Sequence, residues 1–355
     1  MADPRVDRLA EILVQHSTKV QPGELVAIMG SAVAKPLMLA CYRKVLEAGA
    51  HPRLSVAFDE TQEFLLKHGN DAQLDYLDPV RMFEANTIQA AIRLRAPENT
   101  RLLSNTDPAK LGKTMIASRP WFNQIIEHVR WVLCDYPTPA LAQDAGMSLA
   151  DYEAFLFSAT NVDWARMERE LERVGARLQQ GAEVRIVGPD TDLTLHVGGR
   201  SWKPAAGEHN MPDGEIFTAP REDSVNGHIR YEFPAIYQGR EVEGIRLTFE
   251  RGQIVEATAQ RGEAFLASVL DTDAGARRLG ELGIGTNYAI QQHTKNILFD
   301  EKMGGTVHLA VGRAYAFTGG TNESAIHWDM IKDLRQDGAI YLDGELIQKN
   351  GKMLI

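Results

Sequence analysis

The chain has 355 residues, 44% of them hydrophobic and 24% charged, so it is longer than one hydrophobic core serves well and ordinary in composition for a globular protein. Its formal net charge of −10 argues against nucleic-acid binding, which calls for a basic face. No apolar run reaches the roughly 18 residues of a membrane span, the only cysteines (Cys41 and Cys134) lie in apolar runs without a Cys-x-x-Cys, and the opening "MADPRVDRLAEIL" has no signal-peptide apolar core; a cytoplasmic protein with no thiolate metal site is expected.

A first helix is predicted over residues 4–16, with Val6, Leu9, Ile12 and Leu13 on one face. The short apolar run "LVAIMG" reads as a buried strand. Residues 31–48 read as a helix, with Pro36 in its first turns and Gly49 as its stop. "RLSVAF" (53–58), "TIQAAIRL" (87–94) and "WVLCDYP" (131–137) read as further strands. Strands alternating with helices indicate a mainly parallel sheet with covered faces. Residues 161–180 form a strong helix pattern, because Trp164, Met167, Leu171, Val174 and Leu178 recur at spacings of three and four. Beyond Gly181 the texture changes to short alternating strands joined by Asp-Gly and Asn-Gly turns, with one helix over about residues 261–279. Two domains follow: an α/β domain over 1–180 and a strand-rich α+β domain over 181–355.

The α/β half invites a nucleotide-binding reading, which its motifs refuse. No G-x-G-x-x-G follows the first strand. "GKT" at 112–114 has Asp107 where a phosphate loop needs its first glycine. Neither G-x-S-x-G nor H-E-x-x-H occurs. The first half offers a scaffold without visible chemistry.

The second half holds polar residues in apolar or glycine-rich company. In "ESAIHWDMI", His327 and Asp329 are two apart, so on a strand they share a face while Trp328 turns the other way. Glu215 lies in "MPDGEIFTAP", Glu281 where a helix end meets the glycine-rich "GELGIGTN", and His308 in the apolar "MGGTVHLAVG". Each alone has a structural account: a buried His–Asp hydrogen bond, a turn carboxylate, a helix-end charge, a satisfied core histidine. Together they are three carboxylates and two imidazoles, about what two divalent ions need when one carboxylate bridges them. An oxygen and nitrogen donor set suits Zn²⁺, Co²⁺ or Mn²⁺.

The runs "HNMPDGEIFTAPREDSVNG", "GELGIGTN", "FDEKMGGTVHLAVG", "NESAIHWDMIKDLR" and "IYLDGELIQKNG", in this order, resemble the M29 family of metallo-aminopeptidases. The resemblance extends over nearly the whole chain and is densest from about residue 207. It implies a two-metal aminopeptidase acting on short peptides, with an α/β N-terminal domain and a metal-holding C-terminal domain. By motif it implies Glu215, Glu281, His308, His327 and Asp329 as ligands of two divalent ions per chain, Zn²⁺ first, with Co²⁺, Mn²⁺ or Mg²⁺ as alternatives. It gives Tyr315, seven residues beyond His308, a catalytic role at the oxyanion, and leaves Glu281 as ligand, base or both. It further implies a homodimer whose active sites face an enclosed space. Two other functions stay open at this point: a two-metal hydrolase of a phosphoester or cyclic amide, which would need clustered Arg or Lys where only Arg221 and Lys302 are near in sequence, and a non-enzymatic binding protein whose polar residues are core hydrogen bonds.

Overall fold

A computed structural model describes residues 3–355. The chain divides into two compact units. One runs to Val162 and takes back Gly207–Pro212; the other comprises Asp163–Ala206 and Asp213–Ile355.

The first unit is built on a parallel sheet. Strands β1 (Leu25–Ser31), β2 (His51–Ala57), β3 (Ala90–Arg95) and β4 (Arg130–Asp135) lie in the order β2-β1-β3-β4, and the short segment Asn210–Met211 adds a fifth parallel strand beside β4. Helices make the crossovers: Lys35–Glu47 joins β1 to β2, and Pro108–His128 joins β3 to β4. The "GKT" that failed as a phosphate loop is inside the second of these helices. Asp107, the residue that broke the motif, caps it by accepting the Ala109 N–H at 2.9 Å. The predicted first helix is α-helical over Pro4–Glu11 and continues as a wider π-helical turn over Ile12–Ser17. The helix expected from residue 31 begins at Lys35, because β1 extends to Ser31 and a 3₁₀ turn, Ala32–Ala34, intervenes.

The second unit is antiparallel. An eight-stranded sheet contains the pairs Glu183–Gly188 with Thr191–His196, Arg246–Glu250 with Gln253–Thr258, and Ala339–Leu342 with Glu345–Lys349. The last pair turns at Asp343–Gly344, where both residues have positive φ (50° and 83°), the geometry that makes Asp-Gly a hairpin signal. A second sheet has five strands: β5 (Lys203–Ala205), β6 (Glu215–Thr218), β7 (Leu279–Gly285), β8 (Thr306–Gly312) and β9 (His327–Asp333), in the order β9-β8-β7-β6-β5. Side chains of both sheets meet in one core, among them Ile186, Leu193, Leu247, Phe249 and Ile340 with Ile216, Leu282, Leu309, Trp328 and Met330. The structure is thus an α/β unit on a parallel sheet and a strand-rich α+β unit on antiparallel sheets.

Two further readings of the sequence differ from the structure. The helix Trp164–Leu178, placed before a boundary at 181, belongs to the second unit, because Leu171, Val174 and Leu178 pack into that unit's core and Gly175 lies close against Ile216. The helix expected over 261–279 spans only Glu263–Leu270, and Leu279 already opens β7. Glu281 is therefore a strand residue, not the neighbour of a helix end.

Candidate metal centre

The five-stranded sheet has two chemically distinct faces. Alternation along each strand sends Ile216, Leu282, Ile284, Val307, Leu309, Val311, Trp328 and Met330 into the core. The other face carries Glu215 and Phe217 on β6, Glu281, Gly283 and Gly285 on β7, His308, Ala310 and Gly312 on β8, and His327, Asp329 and Ile331 on β9. Strand register places these in rows: Glu281 opposite Ala310 and Ala310 opposite Asp329; Phe217 opposite Gly283 and Gly283 opposite His308; Glu215 opposite Gly285; Gly312 opposite His327. Small residues alternate with functional ones, which leaves room for the long side chains between them. The need is tightest at Gly283, where a Cβ would stand 2.0 Å from the His308 ring.

All five expected donor residues come together on this face. His308 Nε2 lies 3.2 Å from Glu215 Oε2 and 3.2 Å from Glu281 Oε1. His327 Nε2 lies 3.7 Å from Glu281 Oε2 and 3.5 Å from Asp329 Oδ2. His327 and Asp329 point the same way from β9. Trp328 turns to the opposite side, 2% exposed, against Tyr237 at 5.3 Å and Phe265 at 6.2 Å between ring centroids. The Arg313 carbonyl lies 2.8 Å from His327 Nδ1 and can only accept, so Nδ1 carries a proton and Nε2 is the ring nitrogen that faces the carboxylates. Tyr315 follows the end of β8 at the head of the 3₁₀ turn Ala316–Thr318, its ring 5.2 Å from that of His327.

Two residues of the cluster were not singled out as ligands or catalysts by the sequence reading. Lys302, fully buried, donates to Glu215 Oε1 at 3.0 Å and also holds Glu301 in a close ion pair. Glu301 offers a carboxylate oxygen within 4.8 Å of donor atoms of His308 and Asp329. The signal was present in "FDEKMGG", where a lysine follows two acids immediately before a glycine pair, but a charge run of that kind is more often a solvated turn.

Burial and charge govern the protonation of this cluster in the metal-free chain. Burial raises Glu215 to about 8, against the pull of Lys302. Burial would lower His308, but its hydrogen bond to Glu281 and the charges of Glu215 and Asp329 outweigh that and raise it to about 10. Burial, then the charges of Glu281 and Asp329, push the Tyr315 hydroxyl upward, so it stays protonated at neutral pH. Four carboxylates (Glu215, Glu281, Glu301, Asp329) stand in the cluster, and Lys302 pairs with two of them, Glu215 and Glu301. The metal-free cluster offsets that negative charge with protons on Glu215 and His308, and a divalent cation displacing those protons would supply the counter-charge that buried carboxylates need.

These residues fit a divalent cation. Buried Glu215 Oε2, Glu281 Oε2, His308 Nδ1 and Asp329 Oδ1 have no hydrogen-bond partner. A hydrogen-bond network built only for the core would satisfy most of these atoms. Carboxylate oxygens and imidazole nitrogens are also the donors that first-row divalent ions take.

Comparison with known proteins agrees with this chemistry. The model of the thermophilic metalloprotease family (M29) matches residues 2–352. The chain is 29% identical to Aminopeptidase 2 of Geobacillus stearothermophilus, an alignment covering 95% of this chain and 94% of that one. It is similar in structure to wild-type AmpT from Thermus thermophilus, with a TM-score of 0.87 and 26% identity over 99% of both chains. A 2,5-dihydroxypyridine dioxygenase from Pseudomonas putida has the same fold, with a TM-score of 0.64 and 15% identity over 98% of this chain and 96% of that one. At that identity the likeness concerns the fold alone.

Proposed function

The chain belongs to the thermophilic metalloprotease family (M29), and from that premise we propose that it is an aminopeptidase that uses two divalent ions to release N-terminal residues from short peptides. The observation that carries the reading is the set of buried donor atoms without a hydrogen bond: Glu281 Oε2, His308 Nδ1 and Asp329 Oδ1, with Glu215 Oε2 meeting only the His308 imidazole at 3.2 Å. Glu215, Glu281, His308, His327 and Asp329 would hold the ions, Zn²⁺ in the first place, with Co²⁺, Mn²⁺ or Mg²⁺ able to take the same oxygen and nitrogen donors. Bound there, such ions supply Lewis acidity, activating water near neutral pH and polarising the scissile carbonyl.

The chain's own groups do the rest. Glu281 has one carboxylate oxygen against His308 and the other free of hydrogen bonds, so it can accept the proton of the attacking water. Tyr315, kept protonated by burial and by the surrounding carboxylates, donates its hydroxyl hydrogen to the oxyanion of the tetrahedral intermediate. Lys302 holds the outer oxygen of Glu215, which leaves Oε2 turned toward His308. A phosphoester substrate is disfavoured because Lys302, the one cation buried in the cluster, is already engaged by Glu215 and Glu301. A homodimer and a cytoplasmic setting complete the reading; they come from the family resemblance and the sequence. No helix among the described residues is long and apolar enough to cross a membrane.

The test is purification without chelator, measurement of bound metal, and assay of amino-acid nitroanilides with and without EDTA. About two ions per chain and release of N-terminal residues that EDTA abolishes are expected. Activity that survives exhaustive chelation rejects the mechanism.

A further inference from the structure

Phe217 occupies an unusual position. It is two residues from Glu215 on β6 and so lies on the donor face, although the apolar partners of this sheet are on the other side. It does not stand alone there. Its ring is 6.2 Å from that of Tyr315 and 6.1 Å from that of Phe317, both in edge-on geometry, and Phe317 stacks on Tyr315 at 5.3 Å and 19°. Tyr315 in turn is 5.2 Å from the His327 ring. Three aromatic rings therefore run outward from the donors as a continuous wall, and Phe317 at its outer end is 58% exposed. Leaving that much of a phenylalanine in water forgoes apolar burial that the fold could otherwise have gained.

Resting on the aminopeptidase reading, we propose that Phe217 and Phe317 form the surface that receives the side chain of the substrate's N-terminal residue, and that they select a large apolar one. A peptide whose amine and first carbonyl sit at the donors must direct its first side chain to a neighbouring wall. The wall that begins at Tyr315 is continuous with the donors, its three rings are aromatic, and its charged cross-strand neighbour is Lys203, opposite Phe217 on β5. A leucine or phenylalanine side chain gains contact and buries Phe317 there. A basic one loses hydration beside Lys203, an acidic one keeps only that lysine in exchange for its hydration, and glycine leaves the wall wet.

The experiment compares kcat/KM for leucine, phenylalanine, glycine and glutamate nitroanilides in the metal-loaded wild type, Phe217→Ala, Phe317→Ala and Phe317→Leu, with metal content measured for each. Phe317 is exposed, so its truncation leaves the core untouched. The wild type should prefer leucine to glycine by at least about 10-fold, and each alanine variant should lower that ratio by about 10-fold at unchanged metal content. Phe317→Leu, which keeps an apolar surface, should retain the ratio to within about 3-fold. A ratio that survives both alanine substitutions, or an equal loss on all four substrates, overturns the assignment and leaves the peptidase reading standing. A metal-loaded wild type that cleaves none of the four sinks both.

Discussion

A Cβ on Gly283 would stand 2.0 Å from Cε1 and Nε2 of His308, closer than any side chain tolerates. His308 is fully buried on β8 and cannot swing away without breaking its contacts with Glu215 and Glu281. Gly283→Ala should therefore displace the imidazole, lowering bound metal and activity together, at a cost of about 1–3 kcal/mol in unfolding free energy. Elemental analysis beside urea unfolding checks this; full metal occupancy in a folded variant would mean that His308 is not a ligand. A contrast between two other residues separates holding the ions from using them. Asp329→Ala removes a donor and should lose metal. Tyr315→Phe removes only a hydroxyl and should keep metal while kcat falls by roughly 10²- to 10³-fold, the usual loss for one oxyanion donor; wild-type kcat in Tyr315→Phe would rule out the oxyanion role. At this scale Glu215, Glu281, His308, His327 and Asp329 were each visible as polar residues in apolar or glycine-rich settings, and family order made them a set. Glu301 and Lys302 escaped because residues adjacent in a short charge run carry no sign of which will be buried. Gly283 escaped because the ring that needs the space comes from another strand.

Elements deliver these residues, and one carboxylate ties two of the segments that feed them. Asp273 accepts hydrogen bonds from the Gly275 and Ala276 N–H groups at 2.9 and 3.0 Å, just before β7, and from Ser324 Oγ at 2.8 Å and the Ala325 N–H at 2.7 Å, just before β9. The Ala325 N–H, ahead of the other donors, lowers its pKa below the ordinary 3.8. A depressed carboxylate contributes stability above its unfolded pKa, and that contribution disappears as pH falls through the lower folded value. Asp273→Ala should lower stability by about 1–2 kcal/mol at neutral pH, modest because the site is near the surface, and the gap from wild type should close as pH drops below about 3.8. Urea unfolding across pH reads both; a gap that stays constant into acid would mean the carboxylate's charge is irrelevant. Elements were unevenly legible. The Asp343–Gly344 hairpin was readable because positive φ at both positions demands those residue types. Strand β7 was not, since "LGELGIG" is half glycine and polar, and glycine is a poor strand former that reads as loop. Its strand character comes from β6 and β8 on either side, not from its own sequence. Helix Pro108–His128 also went unseen: Met115 and Ile116 are 66% and 62% exposed, so its apolar residues do not form the single-faced stripe that marks a helix.

For the whole molecule, the change of texture near residue 181 marked where short strands begin, while the second compact unit already starts at Asp163 with the helix Trp164–Leu178. It could not show that the chain crosses back. Gly207–Pro212 returns to the first unit to pair beside β4, and Glu215 follows only three residues after that return. Such an excursion leaves no periodicity because six residues are too few to hold a pattern. The division matters for how metal removal should register. The proposed ligands all belong to the second unit, three of them carboxylates gathered on one sheet face, of which Glu215 pairs with the buried Lys302. Ions that bind this folded arrangement and not the unfolded chain stabilise it by mass action, by about 2.7 kcal/mol at a hundred times the dissociation constant. For a unit of this size that corresponds to roughly 5–10 °C in midpoint. Scanning calorimetry should therefore show the wild type melting lower after EDTA treatment and regaining its midpoint when Zn²⁺ is restored. Asp329→Ala, lacking one donor, should melt near the chelated wild type and respond little to either treatment. If chelation leaves the wild-type midpoint unchanged, the gathered carboxylates are balanced by Lys302 and by protons alone, and the cluster is not a metal centre.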